Sequence, residues 1–171
     1  MTAPTLTTER LTLRAPVMAD FPAYEAFWIG PRSTGLGGPV SKQEAWGWFC
    51  HDVALWALHN LGGLIVERRA DGQVIGVVSL NTGPLFPEVE LGWYLCDGFE
   101  GQGYVTEAAT ALRDWAFRER GLPTLVSYVA PTNPASARVA ERLGAVIDRS
   151  APTMEGRNDN VYRHPHPGGT K

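Results

Sequence analysis

The sequence contains little cysteine and no long apolar run. Two cysteines, Cys50 and Cys96, occur in 171 residues, which is too few for a disulfide framework. The N-terminal stretch MTAPTLTTERLTLRAP has no apolar core of the kind found in signal peptides. No segment approaches the roughly 20 apolar residues that cross a bilayer. These absences predict a cytoplasmic protein, in which Cys50 is expected to pack in the core.

Charge of one sign is not in excess either. Lys plus Arg number 15 and Asp plus Glu number 18, which gives a net charge of −3. Binding to nucleic acid or to an anionic membrane surface is typical of basic proteins, so neither partner is expected. The four histidines lack the spacing of metal ligands. We therefore expect no metal, and we interpret each histidine as solvated: His51, His59, His164 and His166.

What is present is a clear alternation of apolar and polar segments. The patterns predict the order strand, two helices, three strands, helix, strand, helix and two strands. A strand is expected over the stretch TERLTLRAP, and the second helix is expected to begin at Ser41, which forms a capping box with Glu44. Three aromatic residues of that helix, Trp46, Phe49 and Trp56, share one face and are predicted to pack in the core.

This order of elements predicts an α+β fold. We expect a twisted mixed sheet of about seven strands, part antiparallel and part parallel, flanked by about four helices. A single domain is predicted over residues 1–165, with residues 166–171 as a disordered tail.

A glycine-rich turn before a helix is the most informative local feature. In LCDGFEGQGYVTEAA, Gly98, Gly101 and Gly103 directly precede a predicted helix, and free N–H groups at a helix start can bind phosphate. A Walker P-loop is excluded because Gly-Lys-Ser/Thr is absent. A Rossmann fingerprint is disfavoured because Thr106 stands in place of its third glycine and the turn lies past mid-chain.

Four segments in order carry a resemblance to a known family. TERLTLR, VIGVVSL, VELGWYL with EGQGYVTEA, and NPASARVAERLGA resemble the GNAT superfamily of acyl-CoA-dependent N-acetyltransferases, close to its RimJ/RimL-type branch. The resemblance implies acetyl-CoA as co-substrate, with its pyrophosphate on backbone N–H groups and its pantetheine arm along a strand. The implied cofactor-binding residues are Trp93, Leu95, Gly101, Gln102, Gly103, Tyr104, Val105, Thr106, Asn133, Ser136 and Arg138. Glu100 and Val105 depart from the family pattern.

Acetyl transfer to an amine requires a neutral nucleophile, and the departing thiolate benefits from a proton. Glu90, in the segment ELGWY, is predicted to be the general base, acting through water; a solvated or Arg-paired strand residue is the alternative. Glu88 on the same face is the reserve. Ser136, which the resemblance places by the sulfur, is predicted to donate to the thiolate, and a helix-cap role is the alternative for Ser136 and Asn133.

The acceptor is expected to be a protein N-terminus or a small amine. Its primary amine is expected to attack acetyl-CoA directly, in a ternary complex, and to receive the acetyl group. The resemblance implies that the first two helices and their loop border the acceptor pocket, to which we assign Trp28, Trp48 and Glu88; a homodimer contact is the competing use of these tryptophans. A non-catalytic acyl-CoA-binding or sensing domain on the same fold is the alternative function. Transfer of a longer acyl group, and an acyl-cysteine route through Cys96, are less favoured.

Overall fold

The computed structural model describes residues 2–167, so most of the predicted tail at 166–171 lies outside the described residues. Within 2–167 the chain forms eight strands and four α-helices. The strands are β1 (Leu6–Thr7), β2 (Leu11–Arg14), β3 (Gly63–Arg68), β4 (Gln73–Asn81), β5 (Glu90–Leu95), β6 (Val126–Val129), β7 (Val146–Ile147) and β8 (Asn160–Arg163). The helices are α1 (Phe21–Ile29), α2 (Lys42–His59), α3 (Tyr104–Arg118) and α4 (Pro134–Arg142). None of these helices is long and apolar enough to span a membrane.

All eight strands belong to one mixed sheet in the order β1-β2-β3-β4-β5-β6-β8-β7. The α+β prediction is therefore confirmed, with one strand more than expected. The extra strand, β1, lies before the predicted first strand, which itself begins only at Leu11. Between them the chain turns at Thr8, whose backbone N–H donates to the Leu11 carbonyl at 2.9 Å. β1 then pairs back onto β2 in antiparallel register.

One pair of strands, β5 and β6, is parallel, and it positions the site. The two share a single registered pair, Glu90 with Val126, whereas β4 and β5 are paired over six residues. Past Glu90, therefore, β5 has a paired edge toward β4 and an open edge toward β6. An open edge presents unpaired backbone groups that an extended ligand can use.

Helices cover both faces of the sheet. Successive strand residues point to opposite faces: Leu64 and Val66 pack with α3, while Ile65 packs with α1 and α2. The face of α3 that meets the sheet carries small residues, since Ala108 and Ala109 are fully buried. Small side chains let this helix approach the sheet closely.

The structure corrects the predicted buried face of α2. The capping box is present, with Glu44 N–H donating to Ser41 Oγ at 3.2 Å. Phe49 and Trp56 are buried as predicted, but Trp46 is 41% exposed and Cys50 is exposed. The other buried positions of the helix are Ala45, Asp52 and Leu55. The apolar pattern mispredicted the buried face because α2 buries the carboxylate of Asp52 and leaves Trp46 partly exposed. The Trp46 ring contacts the Phe21 ring, at 5.1 Å between centroids.

The prediction that every histidine is solvated is also wrong. His164 is 3% exposed, and its Nε2 lies 2.9 Å from Ser127 Oγ. Because the Ser127 hydroxyl donates its proton to the Leu91 carbonyl at 2.6 Å, the imidazole must donate to Oγ. Burial lowers the pKa of His164 to about 4, so this pair is a neutral structural bridge between β6 and β5. His166 contacts the Phe117 ring but is exposed, as predicted.

Candidate active site

The predicted glycine turn joins β5 to α3 and forms one end of a groove. Gly98, Gly101 and Gly103 have φ values of 86°, 73° and 80°, a region that side chains disfavour. Gly103 is the N-cap of α3. A Cβ at Gly98 or Gly101 would meet nothing within 4 Å, so the backbone here borders open space. The turn therefore offers exposed backbone at the start of α3, as anion binding requires.

The groove has a volume of about 620 Å³ and runs between this turn and α4. It brings together nine of the eleven predicted cofactor residues: Trp93, Leu95, Gly101, Gly103, Val105, Thr106, Asn133, Ser136 and Arg138. Gln102 and Tyr104 do not line it. Tyr104 is buried with the Arg10 guanidinium 4.5 Å from its ring centroid, and the Gln102 carbonyl accepts from Arg10 at 2.9 Å. Both residues instead anchor the turn to the N-terminal segment.

A residue that the sequence analysis missed, Arg32, also lines the groove. It lies in the 3-10 turn Pro31–Leu36, which was expected to be loop on the acceptor side. Its guanidinium pairs with Asp97 at 3.0 Å and with Glu100, and donates to the Leu95 carbonyl at 3.3 Å. The unexpected Glu100 is thus neutralised by a cation. An acidic residue at an anion site was a sequence feature that could have prompted a search for such a partner.

The start of α4 forms the opposite wall. Asn133 is the N-cap, and its Oδ1 accepts from the Ser136 backbone N–H at 3.1 Å. The capping role therefore belongs to Asn133, while the Ser136 side chain is placed on the groove. A Cβ at Gly35 would come 2.6 Å from Asn133 Nδ2, so the turn carrying Arg32 passes directly against this wall.

A second, smaller cavity of about 120 Å³ lies next to the groove and contains Glu90, Trp28 and Trp48. The two indole rings stack with centroids 5.9 Å apart. Asn81 donates to Glu90 Oε2 at 2.8 Å. Burial is the main cause that raises the pKa of Glu90 to about 7, against the opposing hydrogen bond from Asn81. A carboxylate with this pKa is well matched to general base catalysis near neutral pH.

Glu88 does not line this cavity, so the structure does not bring it together with Glu90, Trp28 and Trp48. Its two carboxylate oxygens each bind Arg163 at 2.8 Å. Arg163 in turn binds Asp148 at 2.7 Å. The ion pair with Arg163 lowers the pKa of Glu88, which makes it a weaker base than Glu90. The sequence did not indicate this pairing because the two partners lie 75 residues apart.

Groove and cavity meet at three residues, Leu36, Trp93 and Tyr94, which line both. The groove and the cavity are therefore neighbours across these three side chains. Cys96 lines neither space, and burial raises the pKa of its thiol, which disfavours the thiolate that an acyl-cysteine route requires. Within residues 2–167 no cluster of histidine, cysteine and carboxylate side chains could hold a metal ion.

Comparison with known proteins identifies the class. The acetyltransferase (GNAT) domain family matches residues 10–146, and the chain belongs to this family. A crystal structure of an acetyltransferase from Agrobacterium tumefaciens superposes with a TM-score of 0.93, at 55% identity over 96% of both chains.

Curated relatives match over shorter stretches. The ribosomal-protein-serine acetyltransferase of Escherichia coli is 31% identical over 90 residues, which is 52% of this chain and 50% of the relative. The L-2,4-diaminobutyric acid acetyltransferase of Streptomyces coelicolor is 32% identical over 105 residues, 58% of this chain and 62% of the relative. The chain thus spans about half to three fifths of these relatives. Similarity to the ribosomal-protein acetyltransferase confirms the RimJ/RimL-type resemblance.

Proposed function

We propose that this protein is an acetyl-CoA-dependent N-acetyltransferase that transfers an acetyl group directly to a primary amine. The observation that carries the proposal is the junction at Trp93 and Tyr94, where the cofactor groove lies beside a cavity lined by a high-pKa carboxylate. A non-catalytic acyl-CoA sensor needs the groove but has no use for Glu90 in such a cavity.

In this proposal the groove holds acetyl-CoA as co-substrate. The diphosphate would bind backbone N–H groups between Gly101 and the first turn of α3, where the helix dipole favours an anion. Arg138 and Arg142 line the same groove and supply positive charge. The pantetheine arm would lie along the open edge of β5, with its thioester directed to the junction.

The chemistry follows from the protonation states. Glu90 accepts a proton from the ammonium group, directly or through a water molecule, and leaves a neutral amine with a free lone pair. The amine nitrogen attacks the thioester carbonyl, the C–S bond of the tetrahedral intermediate breaks, and the coenzyme A thiolate departs while the nitrogen releases its second proton to solvent. Ser136 donates a hydrogen bond to that thiolate, which takes a proton from solvent, and Glu90 returns its own proton to solvent.

Thiol release from acetyl-CoA, measured with a panel of amines, tests the proposal. The panel would contain a serine-initiated peptide, free amino acids and aliphatic amines. Amine-dependent release supports the enzyme. A rise in melting temperature with acetyl-CoA, without thiol release from any amine, would instead support the sensor. A cytoplasmic location and a homodimer stay predictions, which fractionation and light scattering can test.

A further inference from the structure

Glu90 shares its cavity with a second carboxylate that the sequence analysis did not single out. Asp52, from α2, lines the cavity and is 6% exposed. The Tyr24 hydroxyl donates to Asp52 Oδ2 at 2.7 Å. Asp52 is thus held by a neutral donor, just as Glu90 is held by Asn81. A buried acid and a half-buried acid lie in one cavity, and neither has a cationic partner bonded to it among the described residues.

The positive charge nearest this pair is already engaged. Arg157 lines the cavity, but its Nε pairs with Asp159 at 2.5 Å and its Nη2 lies 3.2 Å from the other Asp159 oxygen. When both acids are ionised, the cavity therefore has an excess of negative charge. Burial without a cation raises the pKa of Asp52 to about 7, and the Glu90 charge adds to this rise.

Two polar atoms in the cavity wall also lack partners. The Tyr94 hydroxyl and the Trp28 indole N–H have no hydrogen-bond partner among the described residues, although each residue is only 9% exposed. The indole N–H is near enough to lower the pKa of Tyr94, but it completes no hydrogen bond. Both atoms are enclosed by protein atoms, so they place two polar groups close behind the cavity wall.

Aromatic rings enclose the two acids. The Tyr24 and Tyr94 rings meet edge to face with centroids 5.9 Å apart, and Trp28 meets Tyr94 at 6.0 Å. Trp48 stacks on Trp28. Ring faces attract alkylammonium groups, most strongly where water is excluded. With a volume of about 120 Å³, the cavity suits a compact group rather than a large one.

We infer that Asp52 is a second acceptor-binding residue, and that the acceptor is a small aliphatic amine bound as its ammonium ion between Asp52 and Glu90 within these rings. The inference rests on the proposed function and specifies its acceptor class. Glu90 removes the proton, while Asp52 holds the amine in place. An acidic group on the acceptor is rejected because it would enter a cavity that already carries negative charge.

Binding is tested first, without catalysis. The probe is tetramethylammonium, which cannot be acetylated, followed by saturation-transfer NMR of its methyl signal at constant ionic strength. We expect saturable binding that weakens at least tenfold in Asp52→Asn. The control variant Glu119→Gln removes the same charge from an exposed position and should bind as the wild type does. Equal binding by Asp52→Asn and the wild type would overturn the inference.

Activity gives the second test, with three acceptors of equal length. Butylamine, 1,4-diaminobutane and 4-aminobutanoate differ in a neutral, cationic or anionic far end. We expect kcat/KM to be at least tenfold lower for 4-aminobutanoate than for the other two. Asp52→Asn should raise the acceptor KM much more than it lowers kcat, and it should reduce that discrimination. Unchanged discrimination, or a clear preference for a serine-initiated peptide, would overturn the small-amine assignment.

The two tests separate the inference from the proposed function. If tetramethylammonium binds through Asp52 but no amine releases thiol, the enzyme proposal fails and the cation site stands. If thiol is released but Asp52→Asn changes neither probe binding nor KM, the enzyme stands and the inference fails. Asparagine matches aspartate in shape and can still accept from Tyr24, so Asp52→Asn should remain folded.

Discussion

Glu90→Gln should slow the enzyme and stabilise the protein at the same time. The substitution keeps the side-chain shape and leaves an oxygen to accept from Asn81, but it removes the base. General base catalysis contributes roughly 10²–10⁴ in rate, so kcat at pH 7 should fall by that factor. The wild-type rate should rise as pH passes through about 7, where Glu90 ionises. The variant should lack this rise and recover only toward the pKa of the free amine, roughly 10 for an aliphatic amine.

The stability effect has a definite sign. The pKa of Glu90 is raised from 4.5 to about 7 on folding, so the folded state binds the proton more tightly than the unfolded state. Its contribution to stability is fully present below pH 4.5 and is lost as pH rises through 7. A rise of this size corresponds to about 3 kcal/mol. Relative to wild type, Glu90→Gln should therefore be up to about 3 kcal/mol more stable at pH 8 and little changed at pH 4.

Denaturant unfolding at pH 4 and pH 8 measures this difference, and Glu88→Gln is the matched control. The pKa of Glu88 is lowered by Arg163, so its stabilisation is present above the unfolded pKa and is lost as pH falls through the folded pKa. Glu88→Gln should thus destabilise the protein at pH 8, the opposite sign. If Glu90→Gln kept full activity and its stability followed the wild-type pH dependence, Glu90 would be a solvated strand residue and would not be the base.

Three further predictions concern the cofactor groove. Ser136→Ala should lower kcat by raising the activation barrier by roughly 1–3 kcal/mol, and acetyl-CoA affinity measured by calorimetry should not change. An unchanged kcat would mean that the hydroxyl has no role at the thiolate. Gly101→Asp should weaken acetyl-CoA binding because it adds negative charge to the groove at a φ of 73°, and equal affinity would move the diphosphate away from this turn. Arg32→Ala should weaken acetyl-CoA binding by leaving Glu100 unpaired, and Arg32→Ala with Glu100→Gln should restore part of the loss; no restoration would assign Arg32 a direct contact with the cofactor.

Local sequence chemistry predicted the local parts of the structure. The capping box at Ser41 joins residues three apart, and the glycine turn before α3 is set by backbone conformations within one short segment. Features of this kind depend on neighbours in the chain, so their residue types and spacing are sufficient evidence. The resemblance to the family then predicted nine of the residues that line the cofactor groove, including Asn133 and Ser136 in its wall.

Contacts between distant segments could not be predicted in the same way. The Arg163–Glu88 pair joins residues 75 apart, and the Ser127–His164 pair joins residues 37 apart. A glutamate two positions before Glu90 and a histidine near the C-terminus resemble ordinary surface residues until the sheet places their partners opposite them. Asp52 was missed for the same reason, since an aspartate on an amphipathic helix normally faces water.

The other buried or half-buried acids of this protein show why Asp52 and Glu90 are exceptional. Asp20 is held by Arg14 through two hydrogen bonds of 2.8 Å, and Asp159 is held by Arg157. In such pairs a cation compensates the buried charge. Among the described residues, the two acids of the cavity have only neutral donors bonded to them. Their ionisation therefore lowers the stability of the folded state. A carboxylate kept in this state is better explained by a cation that arrives with the substrate than by a structural role.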